Sequence, residues 1–299
     1  MALSFSVITP SFNQGSYIER TIRSVLDQGL SDIEYVIMDG GSKDETPEVV
    51  KPYIGQLRFV SEKDNGQTDA VNKGIRATSG DIIGWLNSDD IYCPGALTTV
   101  KAFFEAHPDV DVVYGDAEHI DANDMVLESY YTEDWNYERL KDVCYLSQPA
   151  VFFRRRIVER AGLLNTNLMY CMDYEYWLRL GKLCDFHRIP QCLAGSRMYP
   201  ENKTLGSRRA VHKETNDMFR KTLGTVPDRW IFNYAHVIVE ENGYTRETPQ
   251  KNLQFVHRLI VASLLAFLRW RWRIPLTAIK MMAGWESAAV KQAMIAGTA

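Results

Sequence analysis

The chain has 299 residues, 45% of them hydrophobic and 24% charged, with a formal net charge of -4. That balance fits one large folded domain, or a domain with an appendage, and excludes a general electrostatic case for binding nucleic acid. Five scattered cysteines (Cys93, Cys144, Cys171, Cys184, Cys192) make no Cys-x-x-Cys pattern, so reduced thiols in the cytosol are expected. The start, Met1 to Ser6, lacks the basic and apolar regions of a signal peptide, and no run reaches the roughly 18 apolar residues of a spanning helix. The sequence therefore predicts a cytoplasmic protein.

Phe5 to Thr9 reads as a first strand, followed by a loop over Pro10 to Gly15. Tyr17 to Gln28 has helical spacing, with Ile18, Ile22, Val25 and Leu26 on one face and Ser16 as N-cap. A second strand, Ile33 to Met38, runs into Asp39-Gly40-Gly41-Ser42-Lys43-Asp44, and a helix follows from about Thr46, with Pro47 near its first turn. Leu57 to Val60 is a third strand and Asp69 to Ala77 a third helix. The short apolar run Ile82 to Leu86 then delivers Asn87-Ser88-Asp89-Asp90 before Pro94-Gly95 punctuates the chain. Strands alternating with helices imply βαβ units and a largely parallel sheet. Polar clusters fall at four successive strand ends, where open α/β sheets bind ligands. Neither a Gly-x-Gly-x-x-Gly nor a Gly-Lys-Ser/Thr loop is present, which excludes the common dinucleotide and P-loop versions of such a sheet.

Further on, Leu97 to Ala106 reads as a helix and Asp111 to Asp116 as a strand. Ala117 to Tyr131 reads as a hairpin or excursion with Asp121-Ala122-Asn123-Asp124 at its tip. Gln148 to Phe153 is apolar enough for a buried strand, and Arg154-Arg155-Arg156 opens the next helix, either meeting phosphate or forming a solvated face. Beyond a charged helix, Arg208 to Leu223, and a break at Gly224 to Pro227, an apolar run from about Asn252 ends in Arg269-Trp270-Arg271-Trp272-Arg273. That run has the character of an interfacial membrane helix; packing on the catalytic domain or a subunit contact are the competing readings.

Val7-Ile8-Thr9-Pro10-Ser11-Phe12-Asn13, Val36 to Asp44, Asn72-Lys73-Gly74 and Ala77 to Asp81 resemble, in order and spacing, the motifs of family 2 glycosyltransferases. Trp85-Leu86-Asn87-Ser88-Asp89-Asp90 resembles their Asp-x-Asp signature, with Asn87 at its first acidic position, and the likeness covers roughly the first 205 residues. The resemblance implies an α/β protein of the GT-A nucleotide-diphospho-sugar transferase fold over residues 1–206; the motifs stop there, and a helical region over 207–299 follows, for which membrane association is one of the readings given above. It implies an inverting transfer from a UDP- or dTDP-linked sugar to a glycan or lipid-linked glycan, with Mn²⁺ or Mg²⁺ as cofactor, in surface glycan assembly at the inner membrane face.

On that resemblance Thr9, Pro10, Asn13, Asp39, Asp69 and Ser88 form the nucleotide site. Asp39 would accept from the imide N–H of the base, and the competing reading of Asp39 is an Asx turn before Gly40-Gly41. Asp89 would bind the metal and Asp90 support it, while Arg197 and Lys203 would meet the diphosphate. Tyr199 stands where the family frequently carries His. Asp173, at the head of a helix, would be the base that takes the acceptor proton, with Glu175 a less direct substitute. Asp116 and Glu118 would contact the acceptor, and Trp177 either stacks on a sugar or fills core. Homo-oligomerisation stays open. A non-catalytic nucleotide-sugar sensor or scaffold of the same fold is the competing function; Asn87 points toward it and Asp173 against it.

Overall fold

The computed structural model describes residues 3–31, 33–199 and 206–297. The chain divides into two compact units, Met1–Asn202 and Lys203–Ala299.

In the first unit, β1 (Phe5–Ser11) is buried along its whole length, as its run of apolar residues requires. Helix α1 (Gly15–Leu26) buries Ile18, Ile22 and Val25 against it, and β2 (Ile33–Asp39), α2 (Thr46–Val50), β3 (Arg58–Ser61), α3 (Gln67–Ala77) and β4 (Ile82–Trp85) follow. β1 pairs in parallel with β2 and with β4, and β2 with β3. The carboxyl ends of all four strands therefore lie along one sheet edge.

The rest of the sheet is mixed, where the sequence implied a largely parallel one. A two-residue strand that the sequence did not signal, β5 (Ile91–Tyr92), precedes α4 (Ala96–Ala106). The long β6 (Val112–Ile120) turns back through Asp121–Asp124 into β7 (Val126–Ser129). The Asp121 carboxylate shapes that tip by accepting from the Asn123 and Met125 amides at 2.7 and 2.9 Å. After α5 (Tyr137–Asp142) and a 3-10 turn at Gln148–Ala150, β8 (Val151–Arg154) runs antiparallel to both β4 and β6. Helices α6 (Arg155–Ala161) and α7 (Met172–Leu180) lead to β9 (Phe186–Arg197), parallel to β6 and antiparallel to β5. The order is β3-β2-β1-β4-β8-β6-β9-β5, with β7 beside β6.

Several side chains singled out in the sequence hold this frame together. The three arginines are engaged by acceptors of the protein itself. Arg154 donates to the carbonyls of Val110 and Phe104 (2.8 and 2.7 Å), Arg155 to those of Gly80 and Ile75 (2.7 and 2.9 Å), and Arg156 pairs with Asp111. Trp177 is 0% exposed, edge-on to Phe153 and Phe186, so it fills core and cannot stack on a sugar. Glu175 is buried in a two-pronged pair with Arg179 (3.0 and 2.8 Å), whose other donors take the Ala161 and Leu163 carbonyls. This corrects the expectation for Glu175: it ties α7 to the end of α6 and has no free carboxylate for an acceptor.

The second unit is helical: α8 (Arg208–Leu223), α9 (Asp228–Glu241), α10 (Pro249–Arg271) and α11 (Leu276–Gly297). Gly224, at a left-handed φ of 74°, ends α8, and Thr248 caps α10 by accepting from the Lys251 amide. Phe255 and Leu259 of α10 pack on Ala235 and Val239 of α9, with Trp285 alongside. The Trp270 indole donates to Asp217 at 2.8 Å. By length and composition α10 is apolar enough to cross a membrane, with mean hydropathy 1.3 over its best 18 residues, which corrects the expectation that no run reaches that limit.

Truncating Trp177 to alanine removes a fully enclosed ring from the face where α7 meets β8. We expect Trp177→Ala to lower the free energy of unfolding by about 3–5 kcal/mol, read from urea titrations of the full chain.

Candidate active site

The first corner of the site is built from β1, β2 and the loops beyond them. Register sets Ser11 beside Asp39, and Asp39 beside Ser61. Asp39 is 2% exposed. Its Oδ2 accepts from the Gly41 and Ser42 amides (3.1 and 3.0 Å) and from the Ser61 hydroxyl (2.6 Å), and its Oδ1 from the Ser42 hydroxyl. The Asx turn is thus real, and Oδ1, with one recorded donor, keeps acceptor capacity. Asn13, at a φ of 52° that Asn tolerates better than most residues, donates its amide to Ser42 Oγ (2.7 Å) and accepts from the Lys43 amide (2.9 Å).

Thr9 and Pro10 lie buried below this surface. Thr9 is spent on a hydroxyl contact with Tyr35 at 3.2 Å, which corrects the expectation of a nucleotide contact from its side chain. What faces outward is Phe12, 59% exposed. A Cβ on Gly40 would stand 3.2 Å from the Phe12 ring and 2.9 Å from Asp64 Oδ2, so the two side chains converge on the space over this glycine and a larger residue would displace them. Neither Phe12 nor Asp64 was singled out from sequence, although an aromatic among Ser and Asn at a strand end was the available signal. Asp69 accepts from the Asn65 amide (3.1 Å) and pairs with Lys73 (3.5 Å), so it shapes the loop before α3.

The second corner is the end of β4. Asn87 makes four hydrogen bonds: Oδ1 accepts from Gln67 (2.7 Å) and the Trp85 indole (2.9 Å), while Nδ2 donates to Asp90 Oδ2 (3.1 Å) and Gln148 Oε1 (2.9 Å). Ser88 is buried, and Thr21 holds the turn by donating to the carbonyls of Ser88 and Asp90 (3.0 and 2.8 Å). Asp90 accepts from the Arg197 amide (2.9 Å), and Asp89 Oδ2 from the Tyr199 hydroxyl (2.8 Å). Burial pushes both carboxyls upward, Asp90 to about 8 with the Asp89 charge adding to the effect, while the Tyr199 hydrogen bond favours the Asp89 carboxylate.

Arg197 departs from expectation. It is 0% exposed, with Nε on the Asp89 carbonyl (2.7 Å), Nη1 on the Asp121 carbonyl (2.6 Å) and an ion pair to Asp124. A guanidinium so enclosed braces the carboxylate turn and does not reach a diphosphate. Lys203 lies outside the described residues.

The third corner is the head of α7. Thr68, in the first turn of α3, donates to the Leu168 carbonyl (3.1 Å), and Asn72 exchanges two bonds with Leu164 (2.9 and 3.0 Å). The segment leading into α7 is thereby tied to the end of α3 that reaches Asn87 through Gln67. Asp173 is half-buried, accepts from the Tyr174 amide (2.8 Å), and its charge helps raise the Tyr130 and Cys144 ionisations, where burial is the larger cause. Asp116, in the middle of β6, is held by Arg188 at 2.8 Å, which reaches Asp134 as well, so its carboxylate serves an ion pair with β9.

Among the described residues no group of three or more His, Cys, Asp or Glu side chains converges as a metal cage. One carboxylate with an oxygen left by Tyr199 still suits Mg²⁺ or Mn²⁺ in the manner in which substrate phosphates complete the ligand set.

A mixed sheet with a polar edge carrying an acidic turn defines the class to which the chain belongs, and the comparisons agree. Residues 6–162, just over half of the chain, match the glycosyl transferase family 2 model. The chain is a member of that family. An uncharacterised glycosyltransferase of Rickettsia prowazekii, RP339, is 27% identical over 295 residues, covering 88% of this chain and 91% of its own length. RC0461 of Rickettsia conorii is 28% identical over 211 residues and 66% of this chain, which spans only 34% of that protein. Among solved structures, S. aureus TarS 1-349 in complex with UDP-GlcNAc superposes with a TM-score of 0.62 at 16% identity, over 97% of this chain and 92% of TarS 1-349. Mannosyltransferase PcManGT from Pyrobaculum calidifontis, in complex with GDP-Man and Mn²⁺, gives 0.58 at 18% identity, over 97% and 81%. The fold is GT-A.

Asn87 at the first signature position fits the geometry, since its amide both accepts from Trp85 and donates to Asp90, and an ionised carboxylate could only accept. Asn87→Asp would set a third carboxylate against Asp90 and the Gln148 carbonyl oxygen. The added carboxyl would have a folded pKa above its unfolded value, so its penalty is absent at low pH and grows as pH rises through the folded value. We expect about 1–3 kcal/mol of destabilisation at neutral pH, shrinking toward pH 4, in unfolding titrations of both proteins across pH.

Proposed function

We propose that the chain is an inverting, metal-assisted glycosyltransferase that moves a sugar from a UDP- or dTDP-linked donor to a hydroxyl of a glycan or lipid-linked acceptor. The observation that carries this reading is the placing of the Asp39 corner and the Asp89-Asp90 turn on one sheet edge, with the segment before α7 bonded to the helix between them. The base would lie against Phe12, with its imide N–H on Asp39 Oδ1. Asp89, oriented by Tyr199, would present its other oxygen to the diphosphate end of the donor, and Lys203 would meet the phosphates. A Mn²⁺ or Mg²⁺ ion held by Asp89 and the diphosphate oxygens would supply charge neutralisation for the leaving group. The neighbours' complexes with UDP-GlcNAc and with GDP-Man and Mn²⁺ support donor and cation of this kind.

Asp173 would take the proton from the acceptor hydroxyl as that oxygen bonds to the anomeric carbon from the face opposite the diphosphate. The bond to the diphosphate oxygen breaks with its electron pair, and a single displacement inverts the configuration. Asp173→Asn should lower turnover by roughly 10²–10⁴-fold while calorimetric donor affinity stays unchanged; retained turnover would remove Asp173 from the reaction.

We assign catalysis to residues 1–206 and location at the inner membrane surface to the helices of 207–299. Val261, Leu265, Leu268 and Trp272 form an exposed stripe along α10 at three- and four-residue spacing, near Arg258, Arg269 and Arg273. The opposite face is occupied by the bundle, which supports lying on a bilayer over crossing it. Leu265→Glu with Leu268→Glu should abolish co-sedimentation with vesicles containing anionic phospholipid and leave far-ultraviolet circular dichroism intact. Equal sedimentation of variant and wild type would refute the membrane assignment.

A further inference from the structure

Cys93 and Cys192 are separated by 99 positions in the chain, yet their Sγ atoms stand 3.1 Å apart. Two backbone features bring them together. Cys93 directly follows β5, and its amide donates to the Leu193 carbonyl at 2.9 Å, extending the β5–β9 ladder by one bond. Cys192 sits opposite Asp116 where the β6–β9 register jumps, an irregularity that turns a residue out of the regular pleat. Both thiols are partly exposed, so a small reagent can reach them. Among the described contacts Cys144 and Cys184 show no second thiol; Cys171 is buried, and the Cys144 and Cys184 thiols point to the carbonyls of Leu146 and Leu180, as the Cys192 thiol also does to that of Ala194 at 3.7 Å.

We propose that Cys93 and Cys192 form a reversible disulfide, a modification site that fastens β5 to β9 beneath the carboxylate turn. A disulfide needs the sulfurs about 2.05 Å apart, so the pair must close by roughly 1 Å, a shift within reach of a thiol at a strand end. The two thiols are not equivalent. The Cys93 S–H donating to Cys192 pulls the Cys192 ionisation below the ordinary thiol value, against opposing effects of burial and Glu118, and the same bond raises Cys93. Cys192 is therefore the attacking thiolate and Cys93 the resolving thiol.

With a low-molecular-weight disulfide as oxidant, the Cys192 thiolate attacks one sulfur, forming a mixed disulfide and expelling one thiolate. Cys93, losing its proton to solvent, then attacks the Cys192 sulfur and expels the second. Two protein thiols are oxidised, and one small disulfide is reduced to two thiols. The position gives the bond a consequence. Cys93 lies three residues beyond Asp90, and Cys192 five before Arg197, whose amide and guanidinium hold Asp90 and the Asp89 carbonyl. The crosslink would add a covalent tie to a contact now made of hydrogen bonds.

The test is a redox titration of the full folded chain in glutathione disulfide and glutathione, quenched by alkylation and mapped by mass spectrometry without reduction. We expect a peptide joining Cys93 to Cys192, loss of two titratable thiols, recovery of both with dithiothreitol, and a higher thermal midpoint in the oxidised form. Cys93→Ser should halt at a stable glutathione adduct on Cys192. Separate adducts on the two cysteines of the wild type, a joined peptide only in urea, or oxidation confined to Cys144, Cys171 or Cys184 would overturn the proposal. The wild-type map decides the matter even where a serine variant does not fold.

Discussion

Two adjacent carboxylates at the end of a buried strand repel each other and are costly to remove from water, and the first unit is arranged around making that pair tolerable. Asp90 is enclosed, and its two oxygens are met by the Asn87 amide and the Arg197 backbone. Asp89 is the outer member, steadied by Tyr199. The guanidinium of Arg197, fully buried, touches the Asp89 carbonyl, the Asp121 carbonyl and Asp124, so the turn between β6 and β7 is fastened to the turn after β4 through a single side chain. A buried cation with carbonyl and carboxylate partners is a costly component unless all of them are present together. Here they come from two separate turns and meet an arginine on a third element, β9, and assembling them is a tertiary event that no local segment specifies.

That dependence explains what was legible in the sequence. Ile33 to Met38 and Ile82 to Leu86 announce buried parallel strands because continuous apolar runs leave few alternatives, and the polar residues after them fall at one edge by topology alone. The Asp39 turn and the Asp89-Asp90 pair were legible for the same reason. Arg197 was misread because charge at the end of a strand suggests a ligand, while its complete burial arises from β6 and β9 pairing across a long interval. Glu175 stands two positions from Asp173, and a helix turns about 100° per residue, so the two face different surroundings. Glu175 faces Arg179, and Trp177, for which sequence leaves sugar stacking and core filling both open, faces the aromatic core.

Phe12 and Asp64 belong to no strong local pattern, and they converge over Gly40. Sequence shows that space only as a glycine beside another glycine. Strand β5 was missed on similar grounds: two residues, Ile91 and Tyr92, carry no periodicity, and only the partner β9 makes them a strand.

The helices of the second unit pose the matching question of what an apolar run is for. Composition alone permits α10 to cross a bilayer. Its distribution argues otherwise, because a spanning helix offers apolar surface all round, whereas α10 commits Phe255, Leu259, Phe267 and Trp270 to its neighbours and leaves only one stripe outward. Trp272 ends that stripe at a left-handed φ of 59° and 77% exposure, where an amphipathic ring would otherwise gain by packing. With arginines on both sides of it in the chain, a tryptophan so displayed is suited to the boundary between headgroups and acyl chains, whose apolar and polar layers match its ring and its N–H. Hydropathy sums over a window and so cannot distinguish a helix that is moderately apolar throughout from one whose apolar residues fall on two opposed faces; the packing of α10 shows one of its faces committed to the bundle.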